Sequence, residues 1–305
     1  MAEYLLGLGY EVFGLIRRNS ITEHQQNRLE PIAKHIHVEY GDLLDMSSIV
    51  RVMDVAQPDE VYNLAAQSHV RISFDVPQLT IQTNALGAFN LLEHTRTRFP
   101  GAKFYQASSS EMFGNSCDPD RMQRETTPMT PASPYGCSKL FAYSAVRNYR
   151  KAYGMFAANG ILFNHESPRR AANFVTNKVV RNAVLIKRGK AAKLELGNLD
   201  SKRDWGHSKD YVRAMHMILQ HSVPDDFVVS TGVAHSIREL CEIVFHKLDM
   251  DYRDYVVQNQ KFMRPEELAY LCGDCTKVKS VLKWKPEYTF DQLLDEMLQV
   301  ALEQL

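Results

Sequence analysis

The sequence predicts an α/β protein: a doubly wound parallel sheet with a smaller C-terminal subdomain woven into it. Three observations carry that expectation. Short apolar, β-branched or aromatic runs at residues 10–16, 37–40, 60–66, 103–108 and 156–163 alternate with helical patterns at about 46–56, 78–98 and 134–153. The strand runs are nearly continuous in hydrophobicity, as expected of a parallel sheet covered by helices on both faces. Polar residues suited to ligand contact stand at the ends of those strands, where open parallel sheets bind their ligands.

Taken in order, residues 2–9 read as the tail of a helix, with Gly7 and Gly9 as its C-terminal signal. A dinucleotide-binding sheet opens with a strand and a glycine-rich turn that meets pyrophosphate. That strand and turn are expected to lie outside this sequence, with residues 10–16 as the second strand. This strand runs into Arg17, Arg18, Asn19 and Ser20. Two guanidiniums at a place where an NAD-specific protein carries an acid favour a ribose 2′-phosphate, hence NADP. Asp42, next to Leu43, can accept from the adenine amine. Leu64, Ala65, Ala66, Gln67 and Ser68 close another strand, the alanines allowing close approach of ribose and pyrophosphate. Together these features predict a Rossmann-like NADP-binding domain.

The chemistry is carried by Tyr135 and Lys139, four residues apart and so on one helix face. Ser133 suits the N-cap and Pro134 the first helical position. An ammonium near a phenol favours the phenolate and is expected to lower the Tyr135 pKa toward neutrality. Such a phenolate can take a hydroxyl proton while hydride leaves the same carbon. Tyr-x-x-x-Lys alone arises by chance in many helices. It gains meaning from Ser109 and Glu111 at the end of the strand before it, where an extended backbone would send both side chains to one side.

After residue 164 the rhythm changes to a Pro- and Arg-rich loop (165–173), a basic helix near 175–187 and a short strand at 193–196. A helix at 209–220, a strand at 227–230 and a largely helical tail follow. Residues 1–164 with about 202–234 are assigned to the cofactor domain. Residues of about 165–201 and 235–305 are assigned to the substrate-binding subdomain.

Composition excludes several classes. The 305 residues include 36 Lys+Arg and 36 Asp+Glu, so no basic excess argues for nucleic acid or an acidic membrane. No run of 18 apolar residues or secretory leader is visible, which makes a cytoplasmic location the expectation. The five cysteines form no disulfide framework. Cys272 and Cys275 form a C-x-x-C without a second ligand pair, so no metal is expected and the two read as cysteines in a turn.

These residues resemble extended short-chain dehydrogenase/reductases, and the match narrows to the GDP-mannose 4,6-dehydratase family. It rests on residues 62–69 (YNLAAQSH), 104–114 (FYQASSSEMFG), 159–170 (NGILFNHESPRR), 203–211 (RDWGHSKDY), 230–233 (STGV) and 264–267 (RPEE). It covers essentially the whole chain from residue 2. Ser109 stands where the family has Thr, and Cys275 replaces a more usual Pro. The resemblance implies oxidation of a GDP-hexose at C4 by NADP, loss of water across C5 and C6, and return of hydride to C6. It assigns Ser109, Glu111, Tyr135 and Lys139 to catalysis, with Glu111 as the C5 base. It adds His165 and Arg170 to the cofactor contacts and implies substrate contacts from Asn164, Lys178, Gly197, Arg203, Arg264 and Glu267. It implies GDP-mannose as substrate and a homodimer or homotetramer. Two other readings fit the residues: another nucleotide-sugar dehydratase or epimerase, and a non-catalytic subunit unable to hold NADP.

Overall fold

The structure is a computed structural model and describes residues 1–17 and 29–305; Arg18, Asn19 and Ser20 lie outside the described residues. In chain order the first half comprises α1 (Ala2–Gly7), β1 (Phe13–Ile16), β2 (His37–Tyr40), α2 (Met46–Ala56), β3 (Glu60–Asn63), α3 (Val70–Asp75), α4 (Pro77–Ile81) and α5 (Ala88–Arg98). It continues with β4 (Lys103–Ser109), α6 (Pro134–Tyr153) and β5 (Ala157–Leu162). Strands β3, β4 and β5 lie side by side in parallel, and β9 (Asp226–Val229), from later in the chain, completes their sheet beside β5. Every residue of β5 and β9 is buried, the physical basis of their largely apolar runs, and the polar pair Asn159 and Asp226 is hydrogen-bonded together.

Strands β1 and β2 form a separate parallel pair. Tyr10 ties the start of this unit to the main sheet, its hydroxyl meeting Glu60 Oε1 at 3.3 Å and His216 Nε2 at 3.0 Å.

The second half adds β6 (Asn164–Glu166), α7 (Val175–Lys187), β7 (Leu194–Leu196), β8 (Lys202–His207), α8 (Ser208–Gln220), β10 (Ala234–Ser236) and α9 (Ile237–His246). It ends with β11 (Val256–Gln258), β12 (Tyr270–Leu271), α10 (Thr276–Leu282) and α11 (Phe290–Gln304). Strand β8 pairs with β6, β10 and β12. Helices α7, α9 and α11 share a core of Val179, Val184, Leu240, Phe245, Leu293, Met297 and Leu298, sealed by Trp205 from β8. A Ser236–Glu239 capping box starts α9 and a Thr289–Gln292 box starts α11.

Two expectations change. The helix expected over 78–98 is α4, a π-helical turn at Gln82–Gly87 and α5, with α3 as a further short helix before it. The strand expected to run to residue 66 stops at Asn63. Beyond it the Asn84 side chain accepts from the Gln67 amide (2.8 Å) and donates to the Gln67 carbonyl (2.9 Å), standing in for a strand partner.

Candidate active site

Two chain segments bring the catalytic candidates together. Ser133 caps α6 by accepting from the Gly136 amide, and Pro134 follows at the first position, so the helix begins where Tyr135 must point. Strand β4 ends at Ser109, whose Oγ accepts from the Glu111 amide at 3.2 Å. The expected extended path through Glu111 is therefore incorrect. Residues Ser110–Phe113 form a 3₁₀ turn, with Glu111 in its first turn. The two segments touch at Gly136: a Cβ there would lie 2.7 Å from the Glu111 carbonyl oxygen.

Ser109, Glu111, Tyr135 and Lys139 all line one cavity of about 1090 Å³. This is slightly above the ~300–1,000 Å³ of a single small-ligand site, in keeping with room for two ligands. Asn164, Lys178, Gly197, Arg203, Arg264 and Glu267 line it too, as do Leu64, Ala66, Ser68, His165 and Arg170. Arg17, Asp42, Leu43, Ala65 and Gln67 are not among its lining residues. Leu43 packs in the core against Ile49 and Leu92, and Asp42 Oδ1 accepts from the Leu44 amide. The Leu43 side chain is thus a packing group, because the turn after β2 folds it inward.

The electrostatics also revise an expectation. Burial pushes the Tyr135 phenol up to about 12, and a hydrogen bond from Ser109 only partly opposes it. Burial pulls the Lys139 ammonium down to about 8. Lys139 Nζ donates to the Ala107 carbonyl at 2.9 Å and sits 5.8 Å from the Tyr135 ring centre. Desolvation, with the Glu111 charge adding to it, outweighs the Ser109 hydrogen bond and the Arg170 charge, so the phenol is held neutral. His165 is half-buried, pulled down to about 4 by desolvation and stacked on Tyr211. Its ring is neutral, with Nδ1 donating to the Phe163 carbonyl at 2.9 Å.

The residues present fit a bound dinucleotide. An ammonium has three donors, and among the described residues Lys139 uses one, leaving two for ribose hydroxyls. Ala66 and Leu64 present no charge to a nearby pyrophosphate. Lys178, Arg203 and Arg264, which line the same cavity, supply positive charge. Lys178 Nζ donates to the Glu195 carbonyl (2.6 Å) and lies 3.7 Å from the Phe262 ring centre. Arg203 is buried, its Nη1 donating to the carbonyls of Lys202 and Leu268.

Asn182, Ser201 and Phe262 also line the cavity but were not singled out from sequence. Asn182 stands four residues after Lys178, a spacing that puts both on one helix face. Ser201 Oγ is buried without a hydrogen-bond partner among the described residues. Phe262 had no local signal. Cys272 and Cys275 are buried free thiols away from the cavity, and burial pushes Cys272 up to about 11.

A parallel sheet with Tyr135 and Lys139 facing Ser109 at a strand end places the molecule among the extended short-chain dehydrogenase/reductases. A solved structure of RMD from Pseudomonas aeruginosa complexed with NADPH aligns over 97% of this chain and 100% of its own, with TM-score 0.81 and 26% identity. dTDP-glucose 4,6-dehydratase from Bacillus anthracis has the same fold, with TM-score 0.85 over 99% of this chain and 92% of its own, at 24% identity. The profile of the family described as GDP-mannose 4,6 dehydratase matches residues 1–297. GDP-mannose 4,6 dehydratase 2 of Arabidopsis thaliana is 49% identical over 99% of this chain and 83% of its own length. The human GDP-mannose 4,6 dehydratase is 44% identical over 99% and 88%. The chain belongs to the GDP-mannose 4,6-dehydratase family.

Proposed function

We propose that the protein converts GDP-mannose to GDP-4-keto-6-deoxymannose by an NADP-dependent internal redox dehydration. The observation that carries this reading is Glu111 in the same cavity as Ser109, Tyr135 and Lys139. A simple reductase or 4-epimerase has no use for a base at C5.

NADP+, held by Lys139, His165, Ala66 and the arginines after β1, would accept hydride from the sugar and later return it. Tyr135 takes the C4 hydroxyl proton, and Ser109 orients the C4 oxygen. The resting phenol is neutral, so Tyr135 becomes a base only when ligand charge offsets its desolvation. A C4 ketone acidifies the C5 proton, and Glu111 removes it. The protonated Glu111 then gives that proton to the C6 hydroxyl, which leaves as water. As hydride returns to C6 a proton is delivered to C5, balanced by the C4 hydroxyl proton that Tyr135 took up, so the net change is the loss of one water. Arg203, Arg264 and Lys178 bind the diphosphate, since guanidinium matches phosphate bidentately. Arg170, whose guanidinium lies 3.6 Å from the centre of the Phe174 ring, is read as a further cofactor contact.

Incubation with GDP-mannose and NADP+ should yield a 4-keto-6-deoxy hexose, detected by mass spectrometry as loss of water. A Glu111→Gln variant should accumulate the undehydrated 4-keto sugar and lose product formation by roughly 100-fold or more. Equal product from the variant and the wild type removes Glu111 from the reaction. Turnover of dTDP- or UDP-sugars in place of GDP-mannose would instead identify another nucleotide-sugar dehydratase or epimerase.

The protein is further read as a homo-oligomer acting in the cytoplasm. Leu79 and Leu86 are exposed near exposed Phe141 of α6, and the Phe89–Phe141 ring contact (6.3 Å) brings the two helical faces together. An apolar face of this kind suits a second copy of the chain. Among the described residues no helix is long and apolar enough to cross a membrane.

A further inference from the structure

Arg264 contacts the carboxylate on which the dehydration depends. Its Nη1 lies 3.1 Å from Glu111 Oε1 and 3.4 Å from Oε2. Among the described residues no other side chain donates a hydrogen bond to that carboxylate. The pair is largely buried, with side-chain exposures of 23% for Arg264 and 11% for Glu111. In this arrangement the oxygens that must take the C5 proton are already engaged.

The backbone carrying Arg264 is pinned. Its amide donates to Glu267 Oε1 at 2.7 Å, and Asn115 donates to the Glu267 carbonyl while accepting from the Ala269 amide. On the other side, Phe262 packs so closely on Gly197 that a Cβ there would lie 2.8 Å from the Phe262 carbonyl oxygen. The guanidinium is therefore the part able to move, on a long side chain anchored at the cavity wall. The other ionisable groups around Glu111 are Arg203 on β8, Tyr135 on α6 and Glu267 beside Arg264. Arg203 is committed to two backbone carbonyls, so it does not share the same freedom.

We propose that Arg264 is a positioning residue that exchanges partners: it holds Glu111 in the free protein and is drawn to the diphosphate when the nucleotide sugar binds, releasing Glu111 to act. The proposal rests on the GDP-mannose reading and adds to it a control on when the base becomes available. A diphosphate offers more negative charge and more acceptor oxygens than one carboxylate, so it wins the guanidinium. The Glu111 base is then exposed only where a substrate is in place.

Competition of this kind leaves a signature in binding. GDP is titrated into the NADP-loaded protein by calorimetry, for wild type, Glu111→Gln, Arg264→Met and the double variant. Glu111→Gln should bind GDP roughly fivefold or more tightly than wild type, because Arg264 no longer has to leave a carboxylate. In the Arg264→Met background the same substitution should change GDP affinity less than about twofold. Arg264→Lys, which keeps the charge, should restore part of the coupling and controls for misfolding. Equal tightening in both backgrounds means simple repulsion between Glu111 and the diphosphate and overturns the exchange. No tightening in either also overturns it. If wild type fails to bind GDP or turn over GDP-mannose, the functional reading falls, and the exchange with it. GDP binding and turnover with an uncoupled pair reject the exchange alone.

Discussion

Lys139 shows how far burial can reset a side chain whose role is otherwise plain from spacing. Its ammonium is held down to about 8 by desolvation, a departure on the order of 3 kcal/mol at 1.36 kcal/mol per pH unit. Below pH 8 the ammonium is charged in both folded and unfolded states, and the full penalty falls on the fold. Between about 8 and 10.5 the folded state sheds its proton first, so wild-type stability rises with pH. Lys139→Met should therefore melt higher than wild type at neutral pH in the cofactor-free protein. The gain should be about 1–2 kcal/mol after loss of the bond to the Ala107 carbonyl, and it should shrink toward zero near pH 10.5. The same variant should be inactive. Thermal melts at neutral and alkaline pH, beside turnover, check both halves. A lower melting temperature at neutral pH would show that the hydrogen bond outweighs the desolvation.

At the scale of elements, the contact between the start of α6 and the 3₁₀ turn after β4 decides whether the catalytic groups meet. Gly136 is the point of closest approach, and a Cβ there would fall 2.7 Å from the Glu111 carbonyl oxygen and 2.9 Å from Pro131 Cβ. Gly136→Ala must displace one of them, at about 1–3 kcal/mol of stability. Because the displaced turn carries Glu111, dehydration should suffer more than C4 oxidation. The ratio of 4-keto hexose to its dehydrated product should rise in single-turnover mass spectra. An unchanged ratio would mean that the turn moves as a unit with its substrate. The start of α6 was legible in the sequence because Ser133 and Pro134 are local signals. The break between α4 and α5 was not. It depends on Asn84 reaching the Gln67 backbone and on Gly87 packing against Leu43, where a Cβ would lie 2.7 Å from Leu43 Cβ.

For the molecule as a whole, the exposed apolar face of α4 to α6 makes a prediction about assembly. Leu86 and Phe141 are nearly half exposed, more than a free surface needs and suited to burial against a second copy. Phe141→Asp combined with Leu86→Asp should shift the protein toward monomer in sedimentation or light scattering. Their effect on the monomer's melting temperature should be small, since neither side chain belongs to the buried core. An unchanged mass would place the oligomer contact elsewhere.

By itself the sequence determined the alternation of strand and helix, the cap that starts α6, and the one-face placement of Tyr135 and Lys139. These depend on residues close together in the chain, where periodicity and capping chemistry act directly. It also carried the motifs from which family membership was read. Only the tertiary structure decided that the Tyr135 phenol rests neutral, that Glu111 lies on a 3₁₀ turn, and that Leu43 is core. It alone paired Glu111 with Arg264, 153 residues away. Such features depend on burial and on contacts between distant segments, and no local pattern encodes how deeply a group is taken from water or which charge it meets there.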